Sequence, residues 1–221
     1  SLGLKISSIS HGIKSLLTGL DGGLYLVESG FEKNDQTRIG EGWDAVKTMV
    51  RRIRTLVQNI LFFAKERELT RERLRAFDFL SDVASGLEAK LKNKGIDLEC
   101  SFDQSIGDIE VDAGIMRIAL LNILENALDA CLEDKTKTSH KIGFSAEGNA
   151  QQINIEIVDN GIGMDRETLK SLFTLFFSTK GDKGTGLGLY ITKNIIEQHG
   201  GKITASATPG VESRFNITLP K

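Results

Sequence analysis

The chain has 221 residues, 40% of them hydrophobic and 26% charged, enough apolar material for one or two folded domains. Its 28 basic and 30 acidic residues leave a net charge of -2, so no basic excess supports nucleic-acid binding. No apolar run approaches the roughly 18 residues of a membrane span, nothing resembles a signal peptide, and three scattered histidines form no metal-ligand cluster.

The chain begins without methionine and already in helical periodicity, so it reads as a fragment whose upstream part has been cut away. Ile6, Ile9, Ile13, Leu16, Leu20, Gly23 and Val27 alternate spacings of three and four, the seam of a coiled-coil-like helix. With Ile6 at heptad position a, His11 falls at position f, farthest from the seam, and faces water. A lone surface histidine usually has no chemical task. Gly30, the polar stretch Glu32 to Thr37, and Gly40 punctuate a turn. Trp43, Val46, Val50, Ile53, Val57, Ile60 and Ala64 then repeat the spacing. Two helices joined by about ten residues form an antiparallel hairpin. Met49, Leu56 and Phe63 widen the second helix's apolar face beyond what a two-helix seam covers. Pairing two hairpins into a four-helix bundle would bury it, at about 25 cal/mol per Å². A homodimer is therefore expected.

Residues 68–76 are charged and aperiodic, consistent with a linker between a helical domain over 1–67 and a second domain over 77–221. Asp78 is placed to cap a helix carrying Leu80, Val83, Leu87 and Leu91, which Gly95 would end. Ile96 to Asp103 alternates apolar and polar, a half-buried strand. Cys100 shares the phase of Ile96, Leu98 and Phe102 and lies far from Cys131, so it reads as a buried, reduced thiol in a cytoplasmic protein. Asp112 caps a helix whose buried row is Met116, Leu120, Ile123, Ala127 and Cys131. On another face Asn122, Asn126 and Asp129 form a polar stripe. Its amide oxygens suit a hard cation such as magnesium on a triphosphate, although a solvated helix face would look similar. Ile142, Phe144 and Ala146 then face Ile153, Ile155 and Ile157 across a turn near Gly148. Lys202–Thr208 and Val211–Leu219 form a last strand pair around Pro209 and Gly210. Antiparallel strands on one side and helices on the other make a two-layer α/β sandwich.

Between those strand pairs lie DNGIGM from Asp159, FFSTK from Phe176 and GTGLGL from Gly184. Glycine lets backbone amides approach an anion closely, and two such clusters around a phenylalanine-rich segment suit a phosphate-bearing nucleotide. The second cluster opens a helix through Leu187, Ile191 and Ile195, whose N-terminal amides point at whatever the loop encloses. Asp159 ends a strand, where its carboxylate could accept a hydrogen bond from a purine amine. With a nucleotide at hand His11 gains a candidate task, because an exposed imidazole is a competent nucleophile towards a terminal phosphate.

NILENALDA, DNGIGM, LFTLFFSTK and GTGLGL, followed by EQHGG, resemble in order the asparagine, first glycine, phenylalanine and second glycine boxes of sensor histidine kinases. The resemblance covers nearly the whole chain. It implies a dimerisation and histidine phosphotransfer domain at 1–67 and a catalytic ATP-binding domain of Bergerat fold at 77–221. It implies ATP and Mg2+ as cofactors, with Asn126 ligating magnesium, Asn122 assisting, and Asp159 binding the adenine amine. Gly161, Gly163, Gly184, Gly186 and Gly188 would shape the pocket and its lid, with Lys180 near the phosphates. Asp129, Phe176, Phe177, Thr179, Thr185, Leu187 and Leu189 complete the implied nucleotide site. His11 would be the phosphoacceptor, and a response regulator aspartate the next recipient.

Related gyrase-type and chaperone ATPases use a glutamate where this chain has Asn122, which cannot take a proton from water, so direct ATP hydrolysis is disfavoured. One departure supports another alternative. The family's histidine is usually followed by an acidic residue and later a proline, whereas this chain reads HGIKSLL, with Gly12 after His11. A nucleotide-binding dimer with little autokinase activity, serving as a docking module or phosphatase, would fit that change.

Overall fold

The structure, a computed structural model, describes residues 2–64, 69–180 and 186–221, and their side chains apart from 2–12 and 55–64. The chain divides into two compact units, residues 1–67 with 175–187, and residues 68–174 with 188–221. The junction at 67/68 lies outside the described residues.

The first unit contains helices α1 (Leu2–Glu32) and α2 (Gln36–Ala64). Small residues let the two antiparallel backbones touch. A Cβ on Gly42 would lie 2.7 Å from the Val27 nitrogen and 2.8 Å from the Gly23 oxygen. Gly30, where the sequence suggested the start of a turn, lies within α1, and a Cβ on it would stand 2.9 Å from the Ile39 nitrogen. Only residues 33–35 lie between the helices, not the ten or so expected. Asp35 ends the turn by accepting from the Arg38 N–H at 3.0 Å, capping α2. Arg38 Nε in turn donates to the buried Ser29 Oγ at 2.7 Å, tying the two helices at this end. The seam also differs from its expected lining. Met49, expected to widen the apolar face beyond the two-helix seam, is buried and stands against Gly19, whereas Ile13, Trp43 and Val50, expected in the seam, are exposed.

The second unit begins with β1 (Glu72–Arg75), which occupies part of the expected linker and pairs antiparallel with β3 (Asp108–Val111). Between them come α3 (Ala76–Lys92) and β2 (Ile96–Phe102). The helix starts two residues before Asp78, with Arg75 at its N-cap and no side-chain cap, while Asp78 pairs with Arg75 at 3.4 Å. Next come α4 (Ala113–Glu133), β4 (His140–Gly148), β5 (Gln152–Asp159), α5 (Arg166–Ser171), α6 (Gly188–Gln198), β6 (Lys202–Thr208) and β7 (Glu212–Pro220).

The main sheet runs β2-β4-β5-β7-β6 and is mixed, because β2 pairs parallel to β4. The expectation of antiparallel strands throughout fails there for a topological reason. The chain crosses over through α4 between those strands, and a crossover returns in the same direction. Residues β4, β5 and β7 alternate buried with half-buried along their length, so one sheet face carries the core. Leu80 and Val83 of α3, Met116, Leu120 and Ile123 of α4, and Ile195 and Ile196 of α6 are all at most 1% exposed. The helices make the second layer of an α/β sandwich. Cys100, expected buried, is exposed because β2 is an edge strand and only its first residue, Ile96, is buried.

Candidate functional site

Asp159 closes β5 on the buried phase of the strand, and 2% of it is exposed. Its Oδ1 accepts from the Gly161 N–H at 3.0 Å and from the Ser213 hydroxyl at 3.4 Å. Loss of water pushes its carboxyl up to about 6, although both hydrogen bonds and the charge of Lys137 act in the opposite direction. The same environment and the nearby Asp159 carboxylate push the Cys131 thiol up to about 12, so it is inert.

The turn after Asp159 is built against the last turn of α4. A Cβ on Gly161 would run into the Ala130 carbonyl, and the Ile162 N–H donates to that same carbonyl at 3.2 Å. Asn160 faces the other way, accepting from the Lys141 N–H at 2.9 Å and donating to the Ser139 carbonyl at 3.3 Å. Gly163 has a φ of +65°, and a Cβ there would strike the Thr208 carbonyl. Only glycine fits either position.

Asn122, Asn126 and Asp129 are half-buried on α4, on a face distinct from the fully buried row. α6 starts at Gly188 beside them. The Asn122 Oδ1 lies 3.6 Å from where a Gly188 Cβ would stand, so a side-chain-free space adjoins the amide at a helix N-terminus. Amide oxygens beside such a cradle fit a hard divalent cation and its phosphate ligands. Leu189 follows, half-buried, in the first turn of α6.

The described part of 175–187 belongs to the first unit. It closes on itself, since the Phe176 N–H donates to the Gly186 carbonyl at 2.9 Å and both residues have positive φ, 65° and 64°. Phe177 and Lys180 are half-buried there, Thr179 is exposed, and Leu187 is buried. Gly184 and Thr185 lie outside the described residues, as does the side chain of His11, whose backbone is helical within α1.

Two residues of the site escaped the sequence reading. Ser213 had a legible signal, being polar in the buried phase of β7 with Phe215, Ile217 and Leu219. Lys137 had none, since it sits in a polar connection between α4 and β4.

Residues 111–221 match the profile of the histidine kinase-, DNA gyrase B-, and HSP90-like ATPase family. The sensory histidine kinase/phosphatase NtrB of Vibrio alginolyticus is 31% identical over 98% of this chain and 62% of its own length. Sporulation kinase A of Bacillus subtilis is 27% identical over 97% of this chain and 34% of its own. The chain thus spans between about a third and three-fifths of these relatives' length. Among solved structures, the catalytic domain of histidine kinase ThkA is 27% identical with a TM-score of 0.59, covering 70% of this chain and 99% of that domain. ThkA in complex with the response regulator protein TrrA reaches a TM-score of 0.73 at 24% identity, covering 100% of this chain and 62% of that chain.

Proposed function

The chain belongs to the histidine kinase-, DNA gyrase B-, and HSP90-like ATPase family, and from that premise we propose that it is the catalytic core of a sensor histidine kinase that phosphorylates itself on His11. One observation carries the reading. A buried, hydrogen-bonded carboxylate at a strand end, the signature of an adenine site in this family, is joined in one chain to a long helical hairpin bearing a histidine.

In this reading Asp159 accepts a hydrogen bond from the adenine amine, with Gly161 and Ser213 fixing the carboxylate. Asn126, with Asn122, would hold magnesium, whose charge would offset that of the phosphates. The amides at the start of α6 and the side chain of Lys180 meet the phosphate tail, and the glycines of the two boxes keep side chains out of its way. The His11 imidazole attacks the terminal phosphorus in line, and the new N–P bond forms as the bond to the ADP oxygen breaks. Gly12 supplies no base for the imidazole proton, so the step is expected to be slow. Transfer to a response regulator aspartate follows, and ThkA, seen with its regulator, supports that partner class.

The assembly is a homodimer. Ile13, Leu17, Leu24 and Phe31 recur at spacings of four and seven on α1, and Trp43 and Val50 at seven on α2, all exposed in the single chain. Such a stripe is what a four-helix bundle buries. The helical domain is assigned to 1–67 and the ATP-binding domain to 77–221, in a cytoplasmic setting. Incubation with γ-labelled ATP tests the whole reading. Acid-labile label on the wild type, absent from His11→Ala, is expected, and equal labelling of the two would overturn it.

A further inference from the structure

Lys137 lies in the connection between α4 and β4, outside every motif named above. Its ammonium donates to the Asn160 carbonyl at 2.6 Å, the Gly161 carbonyl at 2.9 Å and the Asp134 carboxylate at 2.8 Å, with the Val211 carbonyl at 3.4 Å. Its three protons are therefore engaged, and one partner is a carboxylate whose side chain is 2% exposed. A solvated surface lysine is not held in this way. Asp134 is fixed in turn, its Oδ1 accepting from the Thr136 N–H at 2.8 Å and hydroxyl at 2.6 Å. Lys137 and Thr136 together hold its carboxyl well below the usual carboxylate range.

The carbonyls that Lys137 takes belong to the two residues after Asp159. The Asn160–Gly161 peptide group is the telling one. Its carbonyl accepts from Lys137 while its N–H donates to the Asp159 Oδ1 at 3.0 Å. A cation on the carbonyl side polarises the peptide and strengthens the donor on the other side. The geometry points to Lys137 as the positioning residue of the adenine site, clamping the turn after β5 so that the Asp159 carboxylate is held where a purine amine can meet it. This rests on the nucleotide reading given above. The groups that act on Asp159 agree with it. Glu212 of β7 raises its carboxyl, the Cys131 thiol of α4 is neutral, and Lys137 is the cation that lowers it.

Calorimetry with ADP tests the assignment, run from below to above the Asp159 value of about 6, with inosine diphosphate as the analogue lacking the amine. Lys137→Gln should weaken ADP about tenfold, the effect of losing one charged hydrogen bond. It should also move the pH midpoint of binding upward and narrow the preference for ADP over inosine diphosphate. A merely structural lysine would leave midpoint and preference unchanged, and that result overturns the proposal. Asp134→Asn, which loosens the clamp and keeps its shape, should shift both in the same direction by less. It decides the matter if Lys137→Gln does not fold. Failure of both variants to fold would also overturn the proposal, since the contacts would then hold the fold and not the site. If wild type does not bind ADP, or Asp159→Asn keeps the wild-type preference, the nucleotide reading fails instead.

Discussion

Two buried titratable groups set opposite acid dependences. Asp159 is raised from the ordinary 3.8 to about 6 in the fold. Its contribution to stability is complete below the unfolded value and is lost as pH rises through about 6, so at neutral pH the ionised carboxylate weighs against the fold by up to about 3 kcal/mol. Asp159→Asn keeps an acceptor for Gly161 and Ser213 without the charge. Thermal melts should show it more stable than wild type above that value, the gap closing in acid, while calorimetry shows ADP binding lost. His199 works the other way. Its Nε2 accepts from the Asp112 N–H at 3.0 Å and its Nδ1–H donates to the Ile195 carbonyl at 2.7 Å, so the buried ring has no room for a second proton. Burial lowers it from 6.5, and its contribution is complete above that value and lost as pH falls through the folded one. Urea midpoints should therefore drop below 6.5, and His199→Gln should flatten that dependence. At Gly12, restoring the acidic neighbour with Gly12→Glu should speed acid-labile labelling, by up to roughly 10² where lost base help is the cause.

Among the elements, the hairpin glycines divide into those that the fold needs and those that it does not. A Cβ on Gly22 meets nothing within 4 Å, so Gly22→Ala should stabilise the helix by up to about 1 kcal/mol through propensity alone. Gly42→Ala places a Cβ against the Val27 backbone and should destabilise the hairpin in the same thermal melts. Sequence periodicity located both helices, because the apolar spacing is long and regular. It misplaced the turn, because a glycine that brings backbones together looks the same as one that ends a helix. In the second unit the α4 row and cap were legible at once, with Asp112 accepting from Ile115 at 3.2 Å as its position suggested. β1 was not, since its four charge-rich residues carry no alternation, and β3, which does alternate, is only four residues long and too short for a window to detect. The glycine turns of the site were legible because only glycine fits them. Lys137 was not, because its role lies in three backbone oxygens that no side-chain pattern encodes.

At the scale of the molecule, two boundaries follow from where backbone groups find partners. β1 pairs with β3, the Thr70 N–H donates to Asp112 at 3.2 Å, and Arg71 donates to the Gln198 carbonyl at 2.9 Å. A fragment starting at residue 69 keeps all three, and one starting at 77 loses them, so the longer fragment should melt higher and bind ADP at least as well. The second boundary is the one between two copies of the chain. Val50 is exposed on α2 and makes part of the apolar stripe, while Met49 beside it is buried against Gly19. Val50→Glu should therefore leave each hairpin folded, with the carboxylate able to reach water in the single chain. In a four-helix bundle the same carboxylate would be buried without a partner, at a cost of several kcal/mol per chain. Light scattering should find a dimeric wild type and a monomeric variant, with ADP binding intact in both because Asp159, Gly161 and Ser213, proposed to hold the adenine, all lie in the second unit. A monomeric wild type would leave the exposed stripe without its occupant and remove the bundle from this account.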